Sequence, residues 1–135
     1  MFWDNSLESG VPVIDFEHKE LIVNLSALKN ESDPEGVRDM LKFLEEYVVK
    51  HFAHEQVMHK RSNYPKTDEH RKAHEQFVQT FLALEKEYLE KGSNPDMLQR
   101  VIVAVENWLR DHILGQDREF SEYYKKRYPN GEAFT

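Results

Sequence analysis

The fold is decided by residues 37–58, which read VRDMLKFLEEYVVKHFAHEQVM. Apolar side chains recur there at steps of three and four residues, so they share one face of an amphipathic helix. The same face continues into His51, Glu55 and Met58. This stretch therefore predicts a long helix whose buried stripe is apolar along most of its length and polar near its end.

Three other segments repeat this period, and short connections join them. We predict an arm over residues 1–13, helices over residues 14–30, 34–62, 68–91 and 95–114, and a tail helix over residues 117–127. Short connections make neighbouring helices antiparallel. No segment alternates strictly between apolar and polar residues, as a half-buried strand does. The expected architecture is one all-α domain over residues 1–135, an antiparallel up-down-up-down four-helix bundle with an N-terminal arm and a short C-terminal helix.

The composition excludes several classes of protein. The 135 residues include 18 Lys and Arg, 25 Asp and Glu and no Cys, which gives a net charge of −7. The negative charge argues against nucleic acid or an anionic membrane as the main partner, and the lack of Cys excludes thiolate chemistry. No apolar run approaches the roughly 20 residues of a membrane span. With no signal-peptide pattern and few large apolar residues outside the stripes, we expect a cytoplasmic monomer without membrane insertion.

Histidine is the unusual feature of this acidic chain, since seven are present. Each spacing alone is unspecific, but five of the seven, together with Glu55, fall on the apolar stripes: His18, His51, His70, His74 and His112. Burying so many imidazoles without partners is costly. In an antiparallel bundle these positions all lie at the same end, which favours a metal site over separate hydrogen-bonded core histidines. We expect His54 at the surface or beside this site, and His59 exposed.

Asp117 is a further candidate ligand, although its spacing is ambiguous. It follows His112 by five residues, which on a regular α-helix places it about 140° away, on the wrong face. A helix that loosens or ends at Gly115 could turn Asp117 back toward the cluster. The alternative is that Asp117 caps the tail helix, and the spacing alone does not separate these two roles.

The ordered set of these residues resembles the hemerythrin family, specifically its bacterial single-domain type. The resemblance covers nearly the whole chain and includes the patterns Ile14-Asp15-x-x-His18, Asn63-Tyr64-Pro65 and Trp108-Leu109-x-x-His112. It implies that Asp117 is a ligand. The implied metal ligands are therefore His18, His51, Glu55, His70, His74, His112 and Asp117.

The family binds O2 at two non-haem irons, and the resemblance implies the same cofactor here. His70, His74 and His112 would hold one iron, and His18 and His51 would hold the other. Glu55, Asp117 and an oxo or hydroxo group would bridge the two ions, which leaves one of twelve octahedral positions open for O2. The resemblance also implies an apolar O2 pocket lined by Leu21, Phe52, Trp108, Leu109, Ile113 and Leu114.

These expectations favour a binding protein over an enzyme. The leading function is reversible O2 binding for carriage, storage or delivery, with an O2-consuming enzyme as a possible recipient. One alternative is a di-iron oxidase or peroxidase, although ferritin-like di-iron enzymes use four carboxylates and two His. The other alternative is sensing of O2 or redox state through a separate partner.

Overall fold

The computed structural model describes residues 3–91 and 94–130. In this part of the chain every regular element is helical, which confirms the all-α prediction. The α-helices are α1 (Pro12–Lys29), α2 (Pro34–Ser62), α3 (Thr67–Lys91), α4 (Pro95–His112) and α5 (Arg118–Arg127). A 3-10 turn (Asn5–Leu7) precedes α1, and a π-helical turn (Ile113–Asp117) joins α4 to α5. Residues 1–2 of the predicted arm and residues 131–135 of the predicted domain lie outside the described residues.

Local chemistry explains where the helices begin and end. Pro12, Pro34 and Pro95 occupy the first turns of their helices, where a missing N–H leaves no hydrogen bond unmade. The side chain of Asn94 also accepts the backbone N–H of Asp96 at 2.9 Å, which caps α4. At the other end of α2, Asn63 has a φ of 55°, the left-handed conformation that terminates many helices.

The four long helices form a closed ring of neighbours. Helix α1 contacts α2, α2 contacts α3, α3 contacts α4, and α4 returns to α1. The connections are short, at residues 30–33, 63–66 and 92–94. This neighbour order is that of a four-helix bundle and is compatible with the predicted antiparallel arrangement. None of the helices in residues 3–91 and 94–130 combines the length and apolar composition needed to cross a membrane.

The buried apolar side chains form two clusters. The larger one runs between α1, α2, α3 and α4 and includes Leu25, Leu44, Phe81 and Ile102. The smaller one lies where the arm and α5 cover the end of α2, and it consists of Val11, Ile14, Met58, Tyr64, Phe120 and Tyr124. Helix α5 therefore buries a face of α2 that a bundle of four helices alone would leave open.

The arm is fixed to the start of α1 by a buried carboxylate. Asp15 accepts hydrogen bonds from the backbone N–H and the hydroxyl of Ser9, at 2.9 and 2.8 Å, and from the N–H of Gly10 at 3.1 Å. These bonds satisfy a carboxylate that is only 7% exposed. Gly10 has a φ of 85°, where residues with a side chain are strained. The bonds anchor α1 three residues before His18.

Candidate metal centre

The fold brings together all seven side chains that the sequence nominates as metal ligands. Helix α1 contributes one of them, α2 and α3 two each, α4 one at its last residue, and the π turn one at its end. All are buried, with at most 6% of the residue exposed: His18, His51, Glu55, His70, His74, His112 and Asp117.

The donor atoms of these residues form two overlapping groups. In each group the atoms lie within 4.8 Å of one another. One group contains Glu55, His70, His74, His112 and Asp117, and the other contains His18, His51, Glu55 and Asp117. The two carboxylates belong to both groups, whereas each His belongs to one. This arrangement suits two neighbouring cations bridged by two carboxylates, and it is the division that the family resemblance implies.

The spacing within the first group fits an octahedral metal ion. Nε2 of His112 lies 3.0 Å from Nε2 of His70, 3.0 Å from Nε2 of His74 and 2.9 Å from Oδ1 of Asp117. A single ring nitrogen makes one hydrogen bond in the plane of its ring, so three such neighbours need another explanation. Adjacent ligands of an octahedral ion with bonds of about 2.1 Å lie about 3 Å apart.

Unsatisfied atoms in the second group support the same interpretation. Nε2 of His18 lies 2.9 Å from Oδ2 of Asp117, and Nε2 of His51 lies 2.6 Å from Oε1 of Glu55. Despite these short distances, Nε2 of His18 and all four carboxylate oxygens lack a partner with hydrogen-bond geometry among the described residues. Buried polar atoms without partners are costly. A cation between them would satisfy nitrogen lone pairs and carboxylate charge together.

The π turn explains why Asp117 reaches the cluster. Hydrogen bonds in a π-helix span five residues, so residues five apart return to the same side. His112 and Asp117 have this spacing, and their side chains meet at 2.9 Å. Asp117 makes no capping hydrogen bond at the start of α5, which removes the alternative role. A Cβ added to Gly115 would meet nothing within 4 Å, so no contact requires glycine in the turn.

Glu17 completes the surroundings of His51, and the sequence analysis missed it. Its carboxylate oxygens lie 3.1 Å from Nδ1 of His51 and 2.8 Å from Nδ1 of His54. A carboxylate there receives the Nδ1–H of His51 and leaves the lone pair of Nε2 for a metal. A signal was present, since Glu17 follows Ile14 by three residues and precedes Leu21 by four. It therefore lies on the buried stripe of α1.

The two remaining histidines differ from each other. The side chain of His54 is 38% exposed and is joined to the site through Glu17, in agreement with its expected place at the surface beside the site. The prediction for His59 is wrong, because this residue is completely buried. Its ring lies 4.5 Å from that of His70 and 4.2 Å from that of Phe120, measured between centroids.

The burial of His59 has a physical cause in α5. His59 follows Glu55 by four residues, so it lies on the same face of α2, and Phe120 of α5 covers it. Neither ring nitrogen of His59 has a hydrogen-bond partner among the described residues. Burial, and next the adjacent His70, lower the pKa of His59 to about 3. His59 is therefore neutral at physiological pH.

Charges within the cluster shift the pKa values of its members in opposite directions. Burial alone would lower the pKa of His51, but the Glu55 charge and the Glu17 hydrogen bond raise it to about 10. Burial would raise the pKa of Asp117, but the surrounding imidazoles, led by His112, hold it well below its usual value. Burial and the neighbouring His70 lower the pKa of His74. A cation that binds here competes chiefly with a proton on His51.

An enclosed cavity of about 20 Å³ lies beside the cluster, and apolar side chains line it. Four of the predicted O2-pocket residues are among its walls, namely Leu21, Phe52, Trp108 and Leu109. Ile113 is buried in the same core but does not line this cavity. The prediction for Leu114 is wrong, because this side chain is 38% exposed. The π turn directs Ile113 and Asp117 inward and Leu114 outward.

Two aromatic rings stack on imidazoles of the cluster. The ring of Phe52 lies 3.7 Å from that of His74 at an interplanar angle of 3°, measured between centroids. The ring of Trp108 lies 4.3 Å from that of His112 at 15°. These contacts limit the rotation of both imidazoles and place apolar surface against the donor atoms.

Comparisons with known proteins agree with this geometry. The profile of the family described as hemerythrin HHE cation binding domain matches residues 9–124. The chain is 31% identical to a bacteriohemerythrin of Clostridium acetobutylicum, over 87% of this chain and 96% of that protein. It is 30% identical to a myohemerythrin of Theromyzon tessulatum, over 87% of this chain and 88% of that protein. A bacteriohemerythrin of Stenotrophomonas maltophilia is 26% identical, over 93% of this chain and 82% of that protein.

Proposed function

Because the chain belongs to the hemerythrin family, we propose that it binds O2 reversibly at a non-haem di-iron centre, for carriage, storage or delivery of O2. The observation that carries this proposal is the pair of overlapping donor groups that share Glu55 and Asp117. One cluster of this kind, rather than two separate sites, allows two irons to act on the same molecule.

In this proposal the seven clustered side chains are the iron ligands. His70, His74 and His112 hold one iron, and His18 and His51 hold the other. Glu55 and Asp117 bridge them together with an oxo or hydroxo group. The iron bound by only two imidazoles keeps one position free. When bound, the iron pair supplies the electrons that O2 takes up reversibly.

The side chains around the ligands favour holding O2 over activating it. Leu21, Phe52, Trp108 and Leu109 line the enclosed cavity, and none of them carries an acid that could donate a proton. A dry cavity withholds the solvent protons that would promote release of reduced oxygen. Glu17 is occupied by two imidazoles, so it orients His51 and does not supply protons to the cavity.

The composition of the ligand set disfavours an oxidase or peroxidase. Ferritin-like di-iron enzymes use four carboxylates and two His, whereas the cluster here holds two carboxylates and five His. Fewer negative ligands favour ferrous iron and disfavour high-valent states. Turnover of a reducing substrate faster than spontaneous oxidation of the protein would contradict our assignment.

An optical experiment tests the proposal directly. The protein is loaded with ferrous iron without air, and iron is quantified at two per chain. Exposure to O2 should produce a visible charge-transfer band that disappears under vacuum and returns with O2 through repeated cycles. A band that never reverses, or its absence at full iron loading, would overturn reversible O2 binding.

A further inference from the structure

A wide surface groove runs between α2 and α3 and ends at the metal cluster. Its volume is about 430 Å³. Phe52 and His74 are among its lining residues, although they are only 7% and 3% exposed. The groove therefore brings solvent within one side-chain layer of a predicted iron ligand. Its other walls include Val49, Ala53, Gln56, Arg71, Glu75 and Val78.

Phe52 separates this groove from the enclosed apolar cavity. It is the one described residue that lines both spaces. Its ring stacks on His74 on one side and lies 5.8 Å from the ring of Trp108, a wall of the inner cavity. The inner cavity has a volume of about 20 Å³, and about 10–15 Å³ is enough for one water-sized molecule. A diatomic gas that passes the ring of Phe52 would reach a cavity of suitable size.

We infer that the α2–α3 groove is the entry route of the gaseous ligand, and that Phe52 is the gate between the groove and the cavity. Side-chain and local motions of Phe52 occur on timescales from picoseconds to microseconds, so no opening of the bundle is required. The gate keeps bulk water out of the cavity while it is closed. This inference rests on the proposed function for the identity of the ligand, but not for the route.

A second opening competes with this route. A small cavity of about 30 Å³ between α3 and α4 shares Trp108, Phe77, Phe81 and Val105 with the inner cavity, and Ala104 lies on its outer side. We favour the α2–α3 groove because it is far larger and reaches Phe52 and His74 directly. The two routes make opposite predictions for two matched substitutions.

The test places a Trp in each opening and measures ligand kinetics. Val78→Trp fills the groove beside Phe52, whereas Ala104→Trp fills the α3–α4 opening. Neither residue belongs to the cluster or the inner cavity. Association and dissociation rates of O2 are measured by stopped flow on diferrous protein, after iron content and circular dichroism show that both variants are loaded and folded. If Val78→Trp fails to fold, Val49→Trp replaces it, since Val49 lines the same groove.

A blocked route slows entry and exit equally, because it changes a barrier and not the bound state. We expect Val78→Trp to reduce both O2 rate constants by about tenfold with an unchanged dissociation constant. Ala104→Trp should keep the wild-type rates. Unchanged rates in Val78→Trp and Val49→Trp, or slower rates in Ala104→Trp alone, would overturn the assignment of the route.

Nitric oxide separates the route from the proposed function. It is a neutral diatomic that binds ferrous iron, so its association rate reports access even if O2 does not bind reversibly. If O2 fails to bind reversibly but Val78→Trp slows nitric oxide, the proposed function fails and the route stands. If O2 binds reversibly and Val78→Trp slows neither gas, the route fails and the function stands.

Discussion

Nδ1 of His51 lies 3.1 Å from a carboxylate oxygen of Glu17, on the side of the ring opposite the nitrogen that faces Glu55. The bond fixes which nitrogen carries the proton and therefore which one is free for iron. The second oxygen of the same carboxylate binds Nδ1 of His54. A single residue of α1 thus orients a predicted ligand of α2 and connects it to a partly exposed imidazole.

Replacing Glu17 should weaken iron binding without removing a ligand. In Glu17→Gln the amide is a weaker acceptor than the carboxylate, so His51 is held less firmly in its metal-binding orientation. We expect iron affinity to fall by about tenfold or more, as it does for other residues that support metal ligands. Competition with a chelator at fixed pH measures the change.

Glu46→Gln provides the matched control for that charge change. Glu46 is exposed on α2 and lies outside both donor groups. Its substitution should leave iron affinity at the wild-type value. Equal losses in the two variants would indicate an effect of net charge and contradict the orienting role of Glu17.

Asp117 should be needed for full iron loading. Its side chain belongs to both donor groups, so Asp117→Ala removes a predicted bridge between the irons. We expect fewer than two irons per chain, together with loss of the O2-dependent band, in a protein that keeps its helical circular dichroism. Asp111→Ala on the exposed face of α4 is the control and should load fully. Full loading of Asp117→Ala would show that Asp117 is not a ligand.

His59 should make the protein less stable than an apolar residue would. Its buried nitrogens lack partners among the described residues, so His59→Met removes two unsatisfied polar atoms while keeping most of the side-chain volume. Removal of such groups is typically worth about 1–3 kcal/mol. We expect a higher urea midpoint for the variant at about pH 8, compared at equal iron content.

The same variant should show a pH dependence of defined sign. Its native pKa is lowered to about 3, whereas the unfolded chain has a His pKa of about 6.5. As the pH falls below about 6.5, the unfolded wild-type chain binds a proton that the folded protein does not, which favours unfolding. The stability advantage of His59→Met should therefore widen by up to about 1.4 kcal/mol per pH unit between about pH 6.5 and pH 3. A gap that stays constant between about pH 8 and pH 5.5 would contradict the buried, neutral state of His59.

Leu109 and Leu114 should respond differently to the same truncation. Leu109 is 5% exposed and lines the enclosed cavity, whereas Leu114 is 38% exposed. Leu109→Ala should lower the free energy of unfolding by about 2–5 kcal/mol and let water reach the site, which speeds oxidation of the iron. Leu114→Ala should change stability by less than about 0.5 kcal/mol and keep the wild-type rate. Equal effects would restore Leu114 to the pocket.

The parts of the fold that follow a regular period were predictable from the sequence. Helix α2 begins and ends where its pattern and its flanking Asp33, Pro34 and Asn63 suggest. The stripes also placed His18, His51, His70, His74 and His112 in the interior, and the order of the helices predicted that they meet. The all-α class and the family were confirmed. The individual metal ligands remain predictions.

The remaining features depend on contacts that a helical period does not show. Asp117 reaches the cluster through a π turn, and a period of 3.6 residues places it on the wrong side. The burial of His59 requires α5 to cover the end of α2, and a one-helix pattern contains no information about that cover. Glu17 lies on the stripe of α1, but its role appears only when α2 brings two imidazoles against it.

The π turn also sets the rotational phase of everything that follows it. It introduces one residue more than a regular helix needs between His112 and the next inward-facing position. Deleting Gly115 would leave a four-residue spacing that an α-helix could satisfy, so Asp117 could still face the cluster. Helix α5 would then start about 100° out of register and about 1.5 Å closer to α4. Phe120 and Tyr124 would leave their present positions against α2, so the extra residue couples metal binding to the docking of the last helix.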